Sequence, residues 1–141
     1  MLPAVFGLSG TALTPDERAF FREAEPAGYI LFARNCADPE QLRALTAALR
    51  DLHGRDVLVM VDQEGGRVVR LKPPHWPAFP AAEAFARLYE KAPMSAIEAA
   101  RANAEAMAIL LAGAGVTMNC APVLDLRHPG THVIVSDRAF G

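Results

Sequence analysis

A chain of 141 residues, 52% of them hydrophobic, is long enough to bury a core and has the typical length of one domain. The formal net charge of −2 and the lack of a basic run argue against a nucleic-acid partner, and no apolar run approaches the roughly 20 residues that span a bilayer. The two cysteines, Cys36 and Cys120, lie in apolar runs, which is typical of free thiols in a reducing compartment. We therefore expect a soluble cytoplasmic protein with neither a nucleic-acid nor a membrane partner.

The first 61 residues alternate between predicted strands and helices. Strands are predicted at residues 4–8, 29–33 and 57–61. The helices between them open at Thr14 and Asp38, each a capping residue followed by proline and an acid. We expect the first helix to end near residue 24, before Pro26, and the second to end at Gly54. Leucines recur at spacings of three and four along the second helix and predict one buried stripe.

The second half of the chain departs from this regular alternation. Residues 72–80 contain four prolines, which exclude regular structure and predict a long surface loop. An alanine-rich stretch predicts a helix over residues 95–111, ended by Gly113 and Gly115. Residues 116–126 are interpreted as the fourth strand and its exit.

The polar residues that directly follow the 57–61 strand are the first candidates for a functional site. They are Asp62, Gln63, Glu64, Arg67 and Arg70, arranged around a Gly65–Gly66 pair. The apolar run before them is typical of a strand buried on both faces, as in a parallel sheet covered by helices. The two glycines permit a sharp turn and a close approach of backbone to ligand. Because ligands bind at the carboxyl ends of such strands, this segment predicts a binding site.

Repeated strand and helix units predict an α/β protein with four parallel strands and helices outside. Two architectures fit this pattern, an open doubly wound domain and half of a (β/α)8 barrel. Polar residues leave successive strands at the same end, which favours the barrel: Ser9, Arg34, Asn35, Asp62, Glu64 and Asp125. A complete barrel takes about 250 residues, so the whole chain, residues 1–141, would form roughly its N-terminal half as one unit.

Four motifs carry a resemblance to a known family. They are GYILFARNCADPEQLRALTAALR from Gly28, VDQEGGRVVRL from Val61, NCAPVLDL from Asn119 and SDRAFG from Ser136. In this order and spacing they resemble the motifs of bacterial glycoside hydrolase family 3 β-N-acetylhexosaminidases, the cytoplasmic enzymes of peptidoglycan recycling. The resemblance covers nearly the whole chain.

The resemblance implies a fold, an activity and three binding residues. Members of that family are (β/α)8 barrels that remove a terminal β-linked N-acetylglucosamine with retention, without a metal or cofactor. The family's sugar-binding aspartate corresponds to Asp62, and its two sugar-binding arginines correspond to Arg70 and Arg138. The implied partner is therefore a muropeptide-like saccharide that contains N-acetylglucosamine.

The resemblance also implies that both catalytic groups are absent from these 141 residues. In the family, the last motif is followed by a Lys-His-Phe-Pro-Gly-His-Gly segment with a histidine acid/base, and later by an aspartate nucleophile. This sequence stops at Gly141, before both. We therefore expect an inactive binding half, which self-associates or pairs with the missing C-terminal half. The alternative is a truncated, non-catalytic sugar-binding or assembly module.

The acids after the third strand allow other interpretations. Asp62 could form an internal ion pair with Arg67 or Arg70 and simply close a turn at the strand end. Asp62 and Glu64 lie about 6.6 Å apart along an extended chain, so they could also form an acid/base pair of their own. The family places its catalytic groups elsewhere, and Glu64 is instead expected to brace the glycine turn.

Four further residues could have either a functional or a structural role. His128 and His132 have the spacing of helical zinc ligands, but the proline and glycine between them prevent the helix that would aim both at one ion. Trp76 in the proline-rich loop could stack on a sugar or plug the barrel rim. Cys36 is interpreted as a core residue rather than a nucleophile.

Overall fold

The computed structural model describes residues 1–141 as a four-stranded parallel sheet with helices packed against it. The strands are β1 (Leu2–Gly7), β2 (Pro26–Leu31), β3 (Leu58–Val61) and β4 (Met118–Asn119), and the α-helices are α1 (Pro15–Ala24), α2 (Pro39–His53), α3 (Ala82–Tyr89) and α4 (Pro93–Gly113). Short 3-10 helices occupy Ala33–Asn35 and Ser136–Arg138. The sheet order is β1-β2-β3-β4, and every neighbouring pair is parallel. This confirms the predicted α/β class.

Local sequence signals explain both N-terminal helices. The Thr14 side chain accepts a hydrogen bond from the Glu17 backbone N–H, and the Glu17 carboxylate accepts one from the Thr14 backbone N–H, which completes a capping box. Asp38 caps α2 by accepting from the backbone N–H groups of its first turn. Gly54 ends α2 in the left-handed conformation with φ of 61°. The predicted starts and ends of α1 and α2 are confirmed.

The core lies between the sheet and the helices. Its fully buried members from the strands and from α2 are Tyr29, Leu31, Val59, Val61, Leu42 and Leu49. The leucine stripe of α2 therefore faces the central strands, as its spacing predicts. Trp76 belongs to the same core cluster and is 8% exposed, so its indole packs the rim rather than standing free to stack on a sugar.

The bounds of β1 and β2 differ from the sequence prediction at both ends, with Leu2–Gly7 in place of residues 4–8 and Pro26–Leu31 in place of residues 29–33. β1 and β2 each begin earlier than predicted, and β2 includes Pro26 and Gly28, for which the sequence predicts only the end of α1. Glu25 ends α1 with φ of 45°, so Pro26 can serve as the first residue of the next strand, where the missing N–H is tolerated. At position 28 the strand needs a glycine, because a Cβ there would lie only 2.5 Å from the Leu58 carbonyl oxygen of β3.

Two predictions for the second half need correction. The sequence does not predict helix α3, because the N-cap residue, Ala81, has no capping side chain and follows a proline-rich loop. The fourth strand, predicted within residues 116–126, pairs only at Met118–Asn119. Pro122 follows shortly after, and a proline has no N–H to donate to a strand ladder. The predicted helix over residues 95–111 is confirmed within a longer α4.

None of the helices is long and apolar enough to cross a bilayer.

Candidate functional site

The polar segment after β3 forms a closed loop around Gln63. The Gln63 amide is fully buried; its nitrogen donates to the Leu71 carbonyl at 2.8 Å, and its oxygen accepts from the backbone N–H groups of Arg70 and Leu71 at 2.9 and 3.0 Å. The backbone of Gln63 is tied to the next strand by two hydrogen bonds with the Asn119 amide, at 3.0 and 2.8 Å. This loop presents Asp62 and Arg70 at the carboxyl edge of the sheet.

The glycine pair lies against the end of the proline-rich loop. Gly65 and Gly66 have φ values of 96° and 58°, in the left-handed region that other residues rarely adopt. The Gly66 N–H donates to the Phe79 carbonyl at 2.9 Å, and a Cβ on Gly65 would lie 2.1 Å from the Pro80 carbonyl oxygen. Gly65 is therefore required by a close backbone contact as well as by the turn.

Asp62 forms an ion pair with one of the two arginines considered for it. The Arg70 Nη2 donates to Asp62 Oδ2 at 2.8 Å, with both side chains about one-quarter exposed. The Arg70 Nε is buried without a partner, and its guanidinium carbon lies 5.9 Å from the centre of the Phe32 ring. The internal pair is thus present, and it leaves the second Asp62 oxygen outside the ion pair.

Glu64 contacts Arg138, which follows it by 74 residues. Its two carboxylate oxygens accept from Arg138 Nε at 2.8 Å and Nη2 at 2.7 Å, with the Glu64 side chain only 9% exposed. Hydrogen bonding to Glu64 is the main reason that the pKa of Arg138 is raised, and the carboxylates of Asp125 and Asp62 act in the same direction. The expectation that Glu64 braces the glycine turn is therefore wrong for its carboxylate. Both Glu64 oxygens bind the Arg138 guanidinium, an arrangement that fits an ion pair rather than an acid/base pair with Asp62.

A second ion pair, more exposed to solvent, also links the loop after β3 to the segment that contains Arg138. Arg67 Nε donates to Asp137 Oδ1 at 2.8 Å, and these side chains are 45% and 31% exposed. Arg67 also donates to the Ile134 carbonyl. Arg67 is therefore not the partner of Asp62, and the sequence separation of 70 positions between Arg67 and Asp137 explains why no local pattern predicts their pairing.

The remaining candidates take structural places. His132 Nδ1 accepts from the Ile134 N–H at 3.1 Å, and no group of three or more His, Cys, Asp or Glu side chains is placed to hold a metal ion. Both cysteines are free and half-buried. Burial raises the pKa of Cys36 to about 11, so its thiol is protonated at neutral pH, in agreement with the core interpretation.

The arrangement can bind a small polar ligand. The Asp62 carboxylate can accept from neighbouring hydroxyl groups, and the two guanidinium groups can donate to hydroxyl or carbonyl oxygens. The sequence analysis named Gln63 among the polar residues after β3 but not its part in closing the loop, and it gave Asn119 no role of its own. The position of Gln63 directly after the apolar run of residues 57–61 was the available sequence signal, and its burial is seen only in the structure.

A comparison of the sequence with models of known protein families assigns the chain to one of them. Residues 8–141 match the family model described as the glycosyl hydrolase family 3 N terminal domain. The chain belongs to glycosyl hydrolase family 3. The resemblance carried by the four motifs is therefore confirmed.

Full-length relatives are considerably longer than this chain. It is 39% identical to a β-hexosaminidase of Aromatoleum aromaticum over 98% of this chain and 38% of that protein. It is 41% identical to a β-hexosaminidase of Alkalilimnicola ehrlichii, again over 98% of this chain and 39% of that protein. The chain thus spans about two-fifths of the length of these relatives.

Solved structures of family members share the fold. The structure of NagZ from Neisseria gonorrhoeae in complex with N-trifluoroacetyl-D-glucosamine superposes with a TM-score of 0.92 at 30% identity, over 99% of this chain and 41% of that one. A family 3 β-N-acetylglucosaminidase from Paenibacillus gives a TM-score of 0.87 at 28% identity, over 97% of this chain and 26% of that one. These neighbours are barrel-type enzymes, so the chain corresponds to the N-terminal portion of a (β/α)8 barrel.

Proposed function

We propose that this family 3 chain supplies the part of a β-N-acetylhexosaminidase that holds the terminal N-acetylglucosamine. Asp62 would accept hydrogen bonds from two sugar hydroxyls, while Arg70 and Arg138 donate to the sugar's oxygens. The observation that carries the proposal is the placement of these three side chains at the carboxyl edge of the sheet, by the ion pairs Asp62–Arg70 and Glu64–Arg138. The likeness to a NagZ structure that contains an N-acylated glucosamine supports the choice of sugar.

The complete reaction needs groups beyond the three binding residues. A retaining glycosidase of the two-carboxylate type places a nucleophile and an acid/base group about 5 to 5.5 Å apart on either side of the bond. We propose that such groups lie outside residues 1–141, that the reaction proceeds with retention, and that it uses no metal or cofactor. The two free cysteines support a cytoplasmic site of action, and a muropeptide-like saccharide of peptidoglycan recycling is the proposed substrate.

Purified polypeptide 1–141 should therefore release no chromophore from a chromogenic N-acetylglucosaminide above the background without protein. The reason is that binding residues alone provide neither the nucleophile nor the proton donor. Host hexosaminidase is controlled by a parallel purification of the Asp62→Ala form. Release by wild-type material that is absent from the Asp62→Ala preparation would show that 1–141 contains its own catalytic groups.

A second candidate function, an assembly module, is favoured by the surface of the last 25 residues. Apolar side chains there are widely exposed, with Leu124 at 87% and Val133 at 81%, and β1 and β4 are the open edges of the sheet. Open edges and exposed apolar groups promote association. We propose that polypeptide 1–141 self-associates, or pairs with the C-terminal half of the barrel when that half is supplied.

Sedimentation velocity across a dilution series tests this assembly proposal. Polypeptide 1–141 should show a concentration-dependent rise in mass at micromolar concentrations, and the double change Leu124→Ser and Val133→Ser should weaken it. If the polypeptide is a compact monomer at every concentration and binds no hydrophobic dye, the four-stranded sheet forms a stable domain by itself. The same experiment with the C-terminal half added distinguishes pairing from self-association.

A further inference from the structure

Arg138 lies in a segment whose backbone does little to fix its side chain. After β4, the only regular structure in residues 120–141 is the single 3-10 turn Ser136–Arg138. That turn begins with Ser136 in the left-handed region, with φ of 37°. An arginine side chain has many rotamers, and ordering it for a ligand costs conformational entropy unless another group holds it.

Glu64 holds one edge of the Arg138 guanidinium and leaves the other available. The carboxylate engages Nε and Nη2 at 2.8 and 2.7 Å. The remaining nitrogen, Nη1, makes only a long contact of 3.4 Å with the Ile134 carbonyl. Because a guanidinium is planar and carries five N–H donors, fixing the Nε–Nη2 edge also fixes the direction of the Nη1 donors.

The position of Glu64 is itself well determined. It directly follows Gln63, whose amide closes the buried loop, and its own N–H donates to the Val68 carbonyl at 2.9 Å. Its side chain is 9% exposed, against 23% for Arg138. The more rigid and more buried partner is therefore the carboxylate, and the arginine is the group that is positioned.

We infer that Glu64 is a positioning residue for the sugar site, which acts by holding the Arg138 guanidinium ready to donate from Nη1. The inference rests on the proposed function, because it assumes that Arg138 contacts the sugar. It predicts that the Glu64 carboxylate contributes to sugar affinity without touching the sugar. A purely structural salt bridge would stabilise the fold and leave affinity unchanged.

The neighbouring pair Arg67–Asp137 provides a matched control. It joins the same two segments with a contact of the same length, 2.8 Å, but it is exposed to solvent and does not involve Arg138. If tying the 134–138 segment to the β3 loop is all that matters, removal of either pair should have a similar effect. If orientation of Arg138 matters, only the Glu64 change should weaken sugar binding.

The test measures the affinity for N-acetylglucosamine by titration calorimetry, on the whole polypeptide that the reading frame encodes. Glu64→Gln keeps the shape but replaces one acceptor oxygen with a donor facing the arginine, so we expect about tenfold weaker binding or more. Glu64→Asp keeps the charge near Arg138 and should lose less. Asp137→Asn should bind as the wild type does.

A fourth variant separates positioning from general stability. In an Arg138→Ala background, adding Glu64→Gln should cause no further loss of affinity, because the group through which Glu64 acts is already gone. Thermal unfolding of each variant, with and without sugar, checks that the binding data describe folded protein. If Glu64→Gln does not fold, the comparison of Glu64→Asp with Asp137→Asn carries the test.

The outcomes distinguish this inference from the proposed function. If the wild type binds the sugar and Glu64→Gln binds it equally well, the positioning role is overturned and the sugar site stays in place. If only Glu64→Asp folds, the same result in that variant has the same meaning. Equal losses in the Glu64 variant and Asp137→Asn, or a further loss in the Arg138→Ala background, would also overturn it. Failure of the wild type to bind N-acetylglucosamine would overturn both.

Discussion

Replacement of Asp62 by alanine, in a form of the protein that hydrolyses N-acetylglucosaminides, should lower kcat/KM by about 30- to 150-fold, which is a loss of about 2 to 3 kcal/mol of transition-state stabilisation. The Asp62 carboxylate is one-quarter exposed at the sheet edge, and Arg70 holds only one of its oxygens. Contacts from a carboxylate to sugar hydroxyls strengthen as the ring distorts, so the loss should appear in kcat as well as in KM. Arg138→Ala should act in the same direction.

Asp56→Ala is the matched control for this change. Asp56 also pairs with an arginine, Arg50, but at 3.6 Å and with its carboxylate 99% exposed, so its removal should leave kcat/KM unchanged. Circular dichroism and thermal unfolding of both variants would show whether the fold is retained. Unchanged kcat/KM in both Asp62→Ala and Arg138→Ala would return these residues to the structural interpretation, in which ion pairs merely close the strand ends.

Gly65→Ala should have the largest effect on stability of any single methyl addition in the site loop. The residue has φ of 96°, and the new Cβ would lie 2.1 Å from the Pro80 carbonyl oxygen, which is backbone and cannot rotate away. A left-handed conformation costs roughly 1 to 2 kcal/mol for a residue with a Cβ, and overpacking costs about 1 to 3 kcal/mol more. We expect urea unfolding to show a loss of about 2 to 5 kcal/mol.

Gly54→Ala isolates the contribution of the clash. Gly54 also has positive φ, at 61°, but a Cβ there would have no neighbour within 4 Å. It should therefore cost only the conformational term, about 1 to 2 kcal/mol. An equal loss of stability in the two variants would show that the contact with Pro80 does not constrain the loop. A larger loss in Gly65→Ala should be accompanied by weaker sugar binding, because Gly65 directly follows Glu64.

Local signals in the sequence predicted most of the first half of the fold. The capping residues Thr14 and Asp38 and the terminating Gly54 act within one turn of themselves, so they are readable without knowledge of the tertiary structure. The buried parallel strand before Asp62 was equally readable, because an unbroken apolar run that ends in polar residues and glycines is typical of such a strand.

The second half was harder because its structure depends on distant contacts. Helix α3 has no capping side chain, and β4 pairs at two residues only, so neither has a strong local pattern. The partner of Glu64 could not be predicted either, because it lies 74 residues away in an irregular segment. The family resemblance implies that Arg138 is a binding residue, and only the structure shows which carboxylate holds it.

A structure of this protein with bound N-acetylglucosamine would test the central claim most directly. Crystals of the whole encoded polypeptide, soaked or grown with the sugar, should show the Asp62 carboxylate accepting from two hydroxyls of one sugar ring. The guanidinium groups of Arg70 and Arg138 should lie within hydrogen-bonding distance of the same ring, with Arg138 still held by Glu64. Sugar bound elsewhere on the molecule, with Asp62, Arg70 and Arg138 contacting only one another and their protein partners, would contradict the account.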